Sequence, residues 1–143
     1  MALPLESAIV LSDGQKSTLQ SVCDDVQANF TRAGEIYWDA IALALYKAPA
    51  KKFENRFGDV FTFDDIAYEL VNRKPSDSSC CGTHRLISLA ILLRISTERQ
   101  ILSPACELAV RDELGLTASI LARTQTSNGY WRSNWYDDLP DAN

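Results

Sequence analysis

Histidine occurs once in these 143 residues, at His84, and cysteine four times, at Cys23, Cys80, Cys81 and Cys106. The cysteine count is low for a disulfide-built scaffold, and two adjacent cysteines make a poor structural pair. Basic charge is scarce as well. Fourteen Lys and Arg stand against nineteen Asp and Glu, for a net charge of -5. That balance argues against nucleic acid and against an anionic membrane as bulk partners.

No apolar run approaches the roughly 20 residues that span a bilayer. The most apolar stretch, Ile87 to Ile95, has Arg85, Arg94 and Glu98 in or beside it. The opening Met1 to Glu6 lacks the basic start and apolar run of a signal peptide. A cytoplasmic chain with no membrane partner is expected. Phosphate-cradling glycine loops, Cys-x-x-Cys pairs and serine elbows are missing too, and no strand-like alternation of useful length is found.

What is present is helical periodicity. Residues 1–15 read as an extended lead-in with a turn at Asp13-Gly14. Leu19, Val22, Val26 and Phe30 then recur at three- and four-residue steps, which predicts an amphipathic helix over 16–33. A second helix is expected over 35–48, stopped by Pro49. Residues 49–61 read as a loop whose phenylalanines, Phe53, Phe57 and Phe61, tuck under neighbouring helices as a small satellite core. Lys51, Lys52 and Arg56 read as a solvated loop face. Thr62 with Asp65 three residues on predicts a capped helix start running to about Asn72. After a polar break at 75–79, residues around Ile87–Ile95 form an apolar, buried, central helix. Ser103-Pro104 starts the last helix, which reaches Gln125 past a possible bend at Gly115. The expected fold is all-α, a single helical domain over 1–143 with a frayed tail at 136–143.

Leu121, Gln125, Gly129 and Trp131 stand in the order and spacing of the repeat of terpenoid cyclases and protein prenyltransferases, and the chain resembles that family here. The resemblance implies antiparallel helix pairs forming part of an α/α toroid. In it Gln125 closes a helix end, Gly129 permits the turn, and Trp131 packs across to the next helix. The acidic cluster and the zinc-binding set of those enzymes are not recognisable, so the resemblance carries the fold idea and not the chemistry. The chain is also similar to a set of uncharacterised bacterial proteins, in which segments like Asn55-Arg56-Phe57-Gly58, Phe61-Thr62-Phe63-Asp64 and Gly82-Thr83-His84 occur in this order. A closed ring takes about twice this length, because stacked repeats need several neighbours. The chain therefore reads as an open partial ring, a fragment of a longer toroid, or one of several subunits. A homo-oligomer or a missing partner segment would cover its concave side.

Cys81, Thr83 and His84 are the candidate pocket. Cys80, Cys81 and His84 could hold a zinc ion with Cys106, Asp64 or Asp65 as distant further ligands, or Cys81 could act as a nucleophile beside His84. The plainer reading is that Gly82-Thr83 starts the buried helix and His84 hydrogen-bonds within the core. No metal and no cofactor is expected. Asp137, Asp138 and Asp141 read as a solvated terminus. Trp131 is expected in the core, with Trp135 and Tyr136 left open. Two functions follow: a non-catalytic scaffold or interaction module, or a terpenoid-cyclase-type enzyme or hydrophobic small-molecule binder with its pocket near Cys81–His84.

Overall fold

The computed structural model describes residues 3–138, so residues 139–143 of the expected tail lie outside the described residues. Two small antiparallel hairpins accompany the helices, which corrects the all-α expectation: the fold is mixed α/β. The first pairs β1 (Ala8–Val10) with β2 (Lys16–Thr18), and the second pairs β3 (Lys52–Glu54) with β4 (Val60–Thr62). Strands of three residues carry too little period-two signal to be read against the helical pattern around them. The first hairpin takes residues 8–15 of the expected lead-in, whose residues 1–2 lie outside the described residues, and residues 16–18 of the expected first helix; the second takes most of the expected 49–61 loop.

Five helices complete the fold among the described residues. They are α1 (Leu19–Asn29), α2 (Tyr37–Tyr46), α3 (Phe63–Asn72), α4 (Thr83–Arg99) and α5 (Pro104–Thr124). Each hairpin runs straight into a helix. Thr18 and Thr62 are the last residues of their hairpins and the N-caps of α1 and α3, accepting from the backbone N–H of Ser21 and Asp65. The expected Thr62–Asp65 capping box is present in both directions.

The hairpins are two copies of one unit. Ala8 and Lys52, Gly14 and Gly58, and Thr18 and Thr62 are each 44 residues apart and structurally equivalent. The loops close alike: Leu11 N–H donates to Gln15 O at 2.9 Å, and Asn55 N–H to Asp59 O at 3.0 Å. Gly14 and Gly58 both take a positive φ, 83° and 84°, which is why glycine stands at each. Helix pairs follow both hairpins, so hairpin–helix–helix is repeated and α5 is added after it.

The copies differ in what they touch. In the second hairpin, Phe53 and Phe61 are buried and meet Phe30, just beyond α1, edge-on at 5.6 and 4.9 Å. Asn55 donates to Phe30 O at 2.8 Å, and Arg56 N–H donates to Ala28 O at 2.9 Å. These phenylalanines belong to the main core, while Phe57 is exposed with the Arg56 guanidinium over its ring. The first hairpin has half-buried Ile9 and Ser17 at the places of Phe53 and Phe61, and Leu19 N–H donates to Ser7 O at 3.0 Å. Val10 is 70% exposed, and Leu3 and Leu11 are exposed too.

Helix α4 is central, packed against α2, α3 and α5. Arg85, Ser88, Leu89, Leu92, Ile95 and Ser96 form its buried face, while Ile87 is exposed. Its buried hydroxyls are satisfied: Ser88 donates to Tyr37 O at 2.9 Å, and Ser96 donates to Glu107 Oε1 at 2.6 Å. No helix of the described residues is long and apolar enough to cross a membrane.

Candidate functional site

The candidate residues sit where the chain enters α4. Cys80, Cys81 and Gly82 are all left-handed, with φ of 52°, 54° and 82°. Glycine suits that conformation, but each cysteine there costs about 1–2 kcal/mol. The turn is held by its surroundings. A Cβ at position 82 would lie 2.9 Å from Pro75 Cβ, so the two backbones approach as closely as glycine permits. The Thr83 hydroxyl donates to Cys80 O at 2.8 Å. The Trp135 indole N–H donates to Cys81 O at 3.0 Å, across 54 residues. Strained backbone maintained by several contacts marks a position worth functional scrutiny.

His84 is the second residue of α4. Its Nδ1–H donates to Glu35 Oε1 at 2.7 Å, and its ring lies 4.9 Å from Trp38 and 6.3 Å from Tyr37. Tyr37 itself donates to the Ser78 hydroxyl at 2.6 Å. So His84 serves a partly exposed His–Glu–Trp rim rather than the core interior. Cys81 and His84 share this end of α4, and among the described residues no group of three His, Cys, Asp or Glu side chains could hold a metal ion.

A groove of about 850 Å³ opens at the opposite end of α4, roughly 20 Å away at 1.5 Å per residue. Asp64, Ser96, Thr97, Ser103, Glu107 and Arg111 are among its lining residues. Several are already engaged. Asp64 accepts the Ser103 N–H at 2.9 Å, and Glu107 accepts from Ser96. Beneath it, Cys106 is fully buried, and that burial, with Asp64 and Glu107 adding to it, pushes its thiol up to about 12.

The Gln125–Trp131 corner is a hook on its own helix. Gln125 is the C-cap of α5, yet its side-chain amide donates to Gly129 O at 3.2 Å instead of to a helix carbonyl. Gly129 supplies the positive φ of the turn, 81°. The Trp131 indole reaches back to Leu121 O at 2.7 Å and remains 45% exposed. Trp135, only 6% exposed, is the tryptophan that reaches another element. The expected core position of Trp131 is thus filled by the side chain four residues later.

No family model, curated protein or solved structure matches the chain.

Of the residues gathered here, Glu35 and Trp38 are not candidates from the sequence, which leaves Trp135 open. The three lie 49, 46 and 51 residues from His84, with no shared spacing to link them. The one available signal was an aromatic, Trp38, on the polar side of an apolar helix.

Proposed function

We propose that the chain is a non-catalytic helical scaffold that associates with a second copy of itself through its first hairpin. One observation carries this reading: the hairpin repeats with buried Phe53 and Phe61 at its inward positions in one half of the chain, whereas the other half has half-buried Ile9 and Ser17 there and leaves Val10 and Leu11 exposed. The second hairpin closes over the end of α1 with buried aromatics and backbone hydrogen bonds. Its 44-residue counterpart has the same register and loop, with Val10 and Leu11 facing solvent. Burying a Val or Leu side chain contributes about 1.5–3 kcal/mol, so two of them offset much of an association cost. A hydrophobic-ligand reading centred on Cys81 and His84 draws less support. Trp135 already engages the Cys81 carbonyl, Glu35 engages the His84 ring, and the large groove, where Ile101, Leu102 and Pro104 stand among hydroxyls and charges, lies at the other end of α4.

The test is sedimentation velocity over a dilution series, comparing wild type with the double variant Val10→Asp, Leu11→Asp. Concentration-dependent association is expected for wild type. The variant should weaken it by roughly 100-fold or more, with its helical circular dichroism unchanged. A wild-type chain that stays monomeric at every concentration overturns the reading, as does a double variant that associates equally well.

A further inference from the structure

We propose that Cys80 and Cys81 form a reversible dithiol–disulfide pair that reacts with small-molecule disulfides, and that the Trp135 hydrogen bond holds its reduced form. The four cysteines fall into two classes. Cys23 and Cys106 are buried, and burial is the main cause raising both thiols. A thiol kept protonated and covered does not react, because the thiolate is the nucleophile. Cys80 is exposed and Cys81 is half-buried, so attack from solvent is open at this pair alone among the four.

The chemistry balances with one co-reactant, a low-molecular-weight disulfide such as oxidised glutathione. Cys80 releases its proton to solvent, and its sulfur attacks one sulfur of that disulfide. The small S–S bond breaks, and one glutathione leaves as a thiolate and is protonated. Cys81 then loses its proton and attacks the Cys80 sulfur of the mixed disulfide, expelling the second glutathione thiolate. Two electrons have passed from the cysteine pair to the small disulfide, which ends as two thiols.

Ring closure and the left-handed turn oppose each other. A disulfide needs Cβ atoms about 3.5–4.5 Å apart. In a helical turn of either hand, successive side chains point about 100° apart around the axis. Cys80 and Cys81 must therefore leave their left-handed torsions before their sulfurs join. Leaving them disturbs the Thr83 bond to Cys80 O and the Trp135 bond to Cys81 O. Trp135 begins the last 3-10 turn, so oxidation loosens that turn from the start of α4. Adjacency, which makes the pair a poor structural bridge, makes the closed form easy to reduce again.

The experiment equilibrates the folded chain in anaerobic glutathione buffers, quenches with acid, and reads intact mass and peptide maps. Wild type should lose the mass of two hydrogens, with the link inside the peptide that holds residues 80 and 81. Cys81→Ser should stop at a glutathione adduct on Cys80. Trp135→Phe removes a contact of the reduced turn, so its disulfide should form at a glutathione ratio about fivefold more reducing. Thr83→Ala should shift in the same direction, and supplies the test if Trp135→Phe does not fold. Wild type that accumulates glutathione adducts or intermolecular disulfides without the internal link overturns the pair. Unchanged midpoints in the folded variants overturn its coupling to the turn.

Discussion

Arg85 carries its guanidinium into the interior, where its side chain is 2% exposed. One nitrogen donates to Leu70 O and Val71 O at 3.2 and 3.3 Å, serving carbonyls that α3 leaves unpaired at its end. Another donates to Glu113 Oε1 at 2.5 Å. Its Nε–H has no partner among the described residues. Arg99 does a similar job on Leu45 O and Ala48 O after α2, and Arg73 on Arg32 O and Gly34 O. Arginine suits this role because its planar fork holds several donors in fixed directions. From the sequence, Arg85 reads only as a charge beside an apolar run; nothing in its spacing tells that its head turns inward. Arg85→Ala leaves two helix-end carbonyls without their donor and the partly exposed Glu113 without its partner, and is expected to destabilise the fold by about 3 kcal/mol. Glu113→Gln should cost about 1 kcal/mol, since Glu113 keeps contact with water. Urea unfolding at neutral pH separates the two. Equal losses would show that the arginine works through its ion pair and not through the helix carbonyls.

Among elements, the helices were legible and the hairpins were not, and the reason is length. Ten to twenty-one residues display a 3.6-residue period several times over, whereas three-residue strands show less than two periods of alternation. Phe53 and Phe61 face each other across their ladder, a pairing that needs the register before it can be seen. The Thr62–Asp65 box was readable because its chemistry is local. The Asp65 carboxyl is held below the usual carboxylate range, first by the Thr62 hydroxyl, then by the Thr62 N–H and Arg32, with burial opposing. A depressed folded value means that the ionised box stabilises above the unfolded carboxylate value, about 3.9, and that this support fades as pH falls through the folded value. Asp65→Ala should therefore lose about 1 kcal/mol at pH 7 and match wild type progressively more closely in acid. A gap that stays constant from pH 7 down to strong acid would mean that the carboxylate charge is not what holds α3. Gly115 gives the opposite sign. It sits inside α5 without a positive φ, and a Cβ added there meets nothing within 4 Å. Gly115→Ala should stabilise by about 0.5–1 kcal/mol, visible as a higher melting temperature.

At the scale of the whole molecule, the repeat allows one half of the chain to serve as control for the other. Leu11 and Asn55 occupy the same place in two equivalent loops, and each donates its N–H to the fifth residue of its loop. Their local geometry is nearly the same, so a difference in their exchange with solvent deuterium reports what lies behind each hairpin. Behind Asn55 are Phe53, Phe61 and Phe30, together with two hydrogen bonds to the end of α1. Behind Leu11 are only the half-buried Ile9 and Ser17 and a tie from Leu19 N–H to Ser7 O, with Val10 exposed, and a two-stranded ribbon with so little buried against it is marginal in water. After correction for intrinsic rates, and in dilute solution, Leu11 should exchange at least roughly 100-fold faster than Asn55, because it opens locally while Asn55 waits for the core. The spacing of Gly14 and Gly58 and of Thr18 and Thr62 was in the sequence all along. With two residues to mark it and polar residues standing opposite apolar ones at most other positions, it is recognisable only once the registers are known. Raising the protein concentration adds a second reading of the same amides. If copies associate through the first hairpin, Leu11 gains protection with concentration while Asn55, already at the limit set by global unfolding, changes little. Protection that rises equally at both amides would place the contact between copies elsewhere, and equal protection in dilute solution would make both hairpins part of one cooperative core.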